Sequence, residues 1–219
     1  MITLHYFPGN ASLIPHIVLR ELGVPFELAL VDRERDAHHG PEYLKLNRNG
    51  QIPVLVDDDL VIYETAAICL HLADTHAAAG LAPPLGSAER AHYYKWLAWL
   101  TNTLQARLLH YFYPERLVAP GNAAGAAEVR AMAQTHIGSM LDQLDAQLAG
   151  HGQPWLLGER YSAADPFAFV MGRWTRGFSG AASRPARERA HLGPYLQRML
   201  QRDAVKQALA AEQLAEPWG

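Results

Sequence analysis

The sequence predicts an α/β module followed by an all-helical domain, an α/β + all-α architecture, and three observations carry that reading. Strand-like and helix-like signals alternate as far as His76. The Pro-, Gly- and Ala-rich stretch "AAAGLAPPLGSAE", Ala77 to Glu89, then breaks the rhythm. Beyond it the apolar residues recur only at helical spacing. We therefore expect a first domain over 1–79, a linker over 80–87 and a helical domain over 88–219.

Each element has its own signal. "ITLHYF" is apolar and β-prone, and "LIPHIVLREL" places Ile14, Ile17, Val18 and Leu22 at helical spacing with Gly23 as a stop. "PFELALVD" alternates as a strand, and "PEYLKLN" allows one or two helical turns. "QIPVLVDDDLVIYE" reads as two strands around an acidic turn at Asp57–Asp59. "TAAICLHLADTH" is a helix with Thr65 at the capping position. The order βαβ, helix, ββα describes a parallel pair extended by a hairpin. After the linker, "SAERAHYYKWLAWLTNTLQARLLHYF" reads as one long amphipathic helix. A second helix carries Val129, Met132, Ile137, Met140, Leu141, Leu144 and Leu148 on its apolar stripe. "SAADPFAFVMGRW" and "GPYLQRMLQRDAVKQALAAE" complete the helical pattern.

Composition narrows the function. The 219-residue chain has a net charge of −3, which argues against nucleic acid as a partner. Its one cysteine, Cys69, permits no intrachain disulfide, and it lies in an apolar helical run as a small buried hydrophobe. No secretory leader and no membrane-length apolar run is visible, so a cytoplasmic protein without membrane association is expected. No histidine or acid cluster has HExxH or CxxC spacing, so no metal is expected. His38 and His39 fall in a Gly/Pro-bounded loop and are expected to be exposed, and His16 to be a packed interior histidine.

The stretch "YFPGNASLIPHI", Tyr6 to Ile17, is a strand, a loop and a helix N-terminus, an arrangement whose amides can face an anion. Together with "NGQIPVLV", "YETAAICLHLAD" and "YSAADPFAF", in that order over essentially the whole chain, it resembles the cytosolic glutathione transferases, and most closely their bacterial beta class. The resemblance implies a thioredoxin-like first domain, glutathione as substrate, a homodimer and a role in detoxification. It also implies that Pro53 is cis and that the backbone of Ile52 pairs with the cysteinyl unit of glutathione. Glu64 and Thr65 would hold the γ-glutamyl end, and Gln51 the glycyl carboxylate.

One departure decides the chemistry. The beta class usually carries a cysteine followed by serine in the first loop, whereas this chain has Ala11 and Ser12. A mixed disulfide between this loop and glutathione is therefore excluded. What remains is activation of glutathione's own thiol, whose pKa near ~8.5 leaves a few per cent ionised at neutral pH. Lowering it by about 2 units requires about 2.7 kcal/mol of preference for the thiolate. One hydroxyl donor contributes roughly 1.5–3 kcal/mol, so Ser12 is the first candidate, with Asn10 and Tyr6 as alternatives. A usual His-Lys pair is replaced by Gln105 and Ala106, and His110, Tyr111 and Tyr113 are the candidates for a second-substrate pocket. The expected reaction is attack on a small electrophile. Glutathione-dependent disulfide reduction and a non-catalytic binding role are the alternatives. "YSAADPFAF" is assigned to folding: Ser162 would cap the amide three residues on, and Asp165 would reach back to the Ser162 amide.

Overall fold

The computed structural model describes residues 1–179 and 184–216; residues 180–183 and 217–219 of the expected helical domain lie outside the described residues. The chain forms two compact units, one of residues 1–84 with 200–216, the other containing 85–199.

The first unit is the expected thioredoxin-like α/β layer. Strands β1 (Ile2–Tyr6), β2 (Phe26–Leu30), β3 (Val54–Asp57) and β4 (Leu60–Tyr63) form one sheet in the order β2-β1-β3-β4. β1 and β2 are parallel, with Leu4 opposite Leu28, whereas β3 runs antiparallel to both β1 and β4. Helices α1 (Leu13–Leu22), α2 (Pro41–Leu46) and α3 (Thr65–Thr75) complete the α/β part. Leu13 to Leu19 of α1 are all buried, an apolar helix packed on β1, α3 and a C-terminal helix at once. α1 ends as its sequence requires, at Gly23 in the left-handed region with φ 66°.

That C-terminal helix, α9 (Asp203–Ala211), corrects the expected domain limits, since residues 200–216 belong to the first unit. Arg202 donates from Nε and Nη2 to the two carboxylate oxygens of Glu21 at 2.5 and 2.7 Å. Glu212, fully buried, accepts from His16 Nδ1 at 2.8 Å and from the Gly9 N–H at 2.8 Å. Because a carboxylate only accepts, the His16 hydrogen sits on Nδ1; Nε2 is then the acceptor for Arg20 Nε at 3.4 Å. His16 is the interior histidine that its sequence position implied.

The second unit contains α4 (Ala88–Trp99), α5 (Ala106–Phe112), α6 (Ala123–His151), α7 (Ala164–Trp174) and most of α8 (Leu192–Gln201). Ser87 caps α4 by accepting from the Arg90 N–H. The long helix expected over α4 and α5 is continuous, but its middle, Leu100–Gln105, widens into a π-helical segment. Leu100, Leu104 and Leu108 stay on one buried face through it. On α6 the buried stripe is Ala133, Ile137, Leu141, Leu144 and Leu148, so Met132, expected inside, is 62% exposed. Among the described residues no helix is long and apolar enough to cross a membrane.

The start of α7 is half as expected. Asp165 reaches back to the Ser162 N–H at 2.8 Å, but the Ser162 hydroxyl accepts from Ala164 N–H rather than from the amide three residues on. Asp165 instead ties more distant chain, accepting from Leu156 N–H at 2.9 Å and Tyr195 hydroxyl at 3.0 Å. Burial pushes its carboxyl up to about 6, against the hydrogen bonds that favour the anion. The folded state therefore binds this proton more tightly than the unfolded chain. Its contribution is largest below the unfolded aspartate value and is lost as pH rises through about 6. The stability gap between wild type and Asp165→Asn should narrow by about 2 kcal/mol between about pH 4.5 and pH 7. Urea midpoints at both pH values measure it, and a gap that widens refutes the assignment.

Candidate active site

Strand register brings the sequence-predicted segments together. Val54, the first residue of β3, pairs with His5 near the end of β1 and with Tyr63 at the end of β4. One step past these pairs lie the loop after Tyr6, the Ile52–Pro53 bond and Glu64–Thr65. Three loops far apart in sequence thus converge at one end of the sheet.

The Ile52–Pro53 peptide is cis, as the resemblance implied, and both residues are buried. Among the described residues the main chain of Ile52 has no hydrogen-bond partner, because the ladder begins at Val54. The preceding carbonyl is fixed: Gln51 C=O accepts from Tyr43 hydroxyl and Asn47 Nδ2, both at 2.8 Å. Burial raises the Tyr43 phenol, which keeps it a donor. The Gln51 side chain itself is exposed. Tyr43 and Asn47 escaped the sequence reading; the turn sequence "NRNG" was their only local signal.

Glu64, not Thr65, occupies the cap position of α3, with φ 73° and ψ 113°. A non-glycine residue there costs on the order of 1–3 kcal/mol and persists only where its surroundings impose it. Its side chain is exposed, and its carbonyl accepts from Ile68 N–H at 2.9 Å. Thr65 is therefore the first helical residue, and no side chain caps the helix. The N–H groups of Thr65, Ala66 and Ala67, which precede the first intrahelical bond, are left for an acceptor from outside the helix.

The first loop and the end of β1 hold the three catalytic candidates. Ser12 is fully buried and does not cap α1. Its hydroxyl donates to Phe7 C=O at 3.1 Å and accepts from Phe7 N–H at 3.2 Å, so its one proton is already committed. Asn10 is half-buried, and its Oδ1 accepts from the Ala11 N–H. That leaves the Asn10 Nδ2 hydrogens with no acceptor among the described residues. Tyr6 is half-buried too, and burial together with the Glu212 carboxylate raises its phenol, keeping it protonated.

In the helical unit, His110 lies 3.3 Å from Arg107 Nη1 through Nδ1; burial and that guanidinium lower its pKa. Tyr111 packs against Phe178 at 4.5 Å and Phe112 at 5.2 Å, and Arg116 covers the Tyr113 ring at 4.1 Å. Gln105 Oε1 and Thr101 Oγ1, in the π-helical segment, are buried polar atoms with no partner among the described residues.

Comparison with known proteins agrees with this geometry. Residues 11–75 match the family model of the glutathione S-transferase N-terminal domain, and residues 127–198 that of the C-terminal domain. The chain is 30% identical over 213 residues to glutathione S-transferase GstA of Escherichia coli O157:H7, covering 96% of this chain and 98% of the relative. It also resembles the solved structure of a sphingomonad glutathione S-transferase complexed with glutathione, with a TM-score of 0.81, 33% identity and coverage of 97% and 100% of the two chains. The beta-class enzyme of Sphingomonas chungbukensis gives a TM-score of 0.81 at 31% identity, with the same coverage. The chain belongs to the cytosolic glutathione transferase superfamily.

Proposed function

We propose that this glutathione transferase binds glutathione at the loop cluster on the sheet end, lowers the pKa of its thiol and directs the thiolate at a small hydrophobic electrophile. The observation that supports this best is the juxtaposition of the free Ile52 main chain before cis Pro53 with the strained, exposed Glu64 at the open start of α3. Ile52 N–H and C=O suit the cysteinyl peptide group. The amides of α3 suit the γ-glutamyl carboxylate, and the Glu64 carboxylate suits its ammonium. Gln51 suits the glycyl end.

Thiol activation falls to the loop. With Ser12 spent on Phe7, the Asn10 amide is the donor we assign to the thiolate, with the Tyr6 hydroxyl second and Ser12 as the brace that shapes the loop. An amide donor to an anion contributes about 1.5–3 kcal/mol, comparable to the roughly 2.7 kcal/mol needed. Ala11 offers no sulfur, so the electrons that attack the electrophile come from glutathione. The second substrate would lie on His110, Tyr111 and Tyr113, an aromatic surface on which the histidine is held uncharged near neutral pH.

Three measurements check this reading. Glu64→Ala should weaken glutathione binding by roughly 1.5–3 kcal/mol in calorimetry, and unchanged affinity removes Glu64 from the site. The thiolate absorbance of the glutathione complex, titrated against pH, should shift upward by about one unit in Asn10→Ala. A shift confined to Tyr6→Phe transfers the role to Tyr6, and a shift in Ser12→Ala alone, without loss of stability, restores the serine. Paired assays with an aryl halide and a hydroxyethyl disulfide separate conjugation from disulfide reduction; turnover of neither leaves the non-catalytic alternative. We also assign a homodimer, supported by the family and by Tyr94 of α4 and Leu60, Val61 and Tyr63 of β4, all more than a third exposed. Sedimentation at micromolar concentration should give the dimer mass, and a monomer refutes it.

A further inference from the structure

The connection between β2 and α2 carries Asp36, His38 and His39, and we propose that these three side chains form a binding site for a borderline divalent cation of the Zn²⁺ type. Their donor atoms all lie within 4.8 Å of one another. His39 Nδ1 is 2.7 Å and His38 Nδ1 3.8 Å from the same oxygen, Asp36 Oδ1. Tetrahedral coordination with bonds of about 2.0–2.1 Å sets neighbouring ligand atoms roughly 3.3–3.4 Å apart. The two observed separations straddle that value, so seating an ion needs shifts of about half an ångström each way.

The local backbone makes the convergence possible. Asp36 sits in the left-handed region at φ 59° and begins a 3₁₀ turn, with His39 N–H donating to Asp36 C=O at 3.0 Å. The two imidazoles, neighbours in sequence, face one another with centroids 4.0 Å apart and planes tilted by 35°. Gly50, at φ 60°, lies against the His39 ring: a Cβ there would come 2.5 Å from His39 Cδ2.

The site is closed on one side and open on the other. The His38 side chain is 15% exposed, against 56% for His39 and 69% for Asp36. Three protein ligands with one open position are what an ion holding a water requires. Two imidazoles and one carboxylate favour Zn²⁺, Co²⁺, Ni²⁺ or Cu²⁺ over Mg²⁺ and Ca²⁺, which prefer oxygen. The spacing matches no helical or hairpin ligand motif, which is why no metal was expected from it; His39 is exposed, as expected. His38 is in fact half-buried.

The test uses the untagged full chain in buffer without glutathione, whose thiol would compete for the same ions. Titration with Co²⁺, followed by its visible absorption, and with Zn²⁺ by calorimetry should show saturable uptake of one equivalent that excess Mg²⁺ does not displace. Asp36→Asn keeps a residue tolerant of the left-handed region while removing the anionic ligand, and His39→Ala removes an exposed one. Each should weaken binding by about 10–100-fold with wild-type thermal unfolding. His71→Ala, in which an imidazole paired with Asp57 is lost, should bind as wild type does. Absence of saturable uptake, or equal affinity in wild type, Asp36→Asn and His39→Ala, overturns the site. So does an equal loss in His71→Ala.

Discussion

The buried Glu212 carboxylate is the interaction on which the first loop depends. An ion withdrawn from water loses several kcal/mol of hydration, and only well-placed partners offset that. Here the partners are His16 inside α1 and the Gly9 N–H in the loop itself. Gly9 has φ 67°, a conformation that glycine adopts without steric cost. A residue near the chain's end thereby fixes the backbone of a loop near its beginning. Ser12 does the same from the other side by satisfying both polar groups of Phe7. Held at both points, the loop presents Asn10 and Tyr6 in set positions, and preorganised donors stabilise an anion more than mobile ones do.

The arrangement also separates recognition from chemistry. In the proposed reading, recognition falls mainly to backbone: the free peptide group before a cis proline, and the open amides at the start of α3. These depend on strand register and on the clamp of Tyr43 and Asn47 on Gln51, so few side chains in them are individually decisive. In the same reading, chemistry falls to one short loop outside the sheet. Ala11, where the resemblance implies a cysteine in the beta class, fits that division. The bonds that hold the loop come from Ser12 and Glu212, not from position 11, and the proposed chemistry rests on the ligand's own sulfur.

What was legible in the sequence follows from how far each feature reaches. Strand–loop–helix order, the hairpin at Asp57–Asp59 and the glycine stop of α1 are set by residues within a few positions, and they appear where expected. The roles of Ser12 and Thr65 turned on single-residue shifts that propensity does not resolve. A serine before a helix can cap it or bond backward, and the direction depends on where Phe7 C=O points. Glu64 took the cap position despite its positive φ, a conformation that no glutamate signals. The place of α9 was illegible for a different reason: its ties, His16 with Glu212 and Glu21 with Arg202, join residues more than 180 positions apart.

The same distinction explains the polar atoms of the π-helical segment. Widening the helix turns Thr101 and Gln105 so that their oxygens are buried without a partner among the described residues. A buried acceptor left unpaired costs on the order of 1–3 kcal/mol. The π-helical segment carries such a cost in two places. The same segment keeps Leu100, Leu104 and Leu108 on one buried face, so apolar packing there outweighs the two unmade hydrogen bonds.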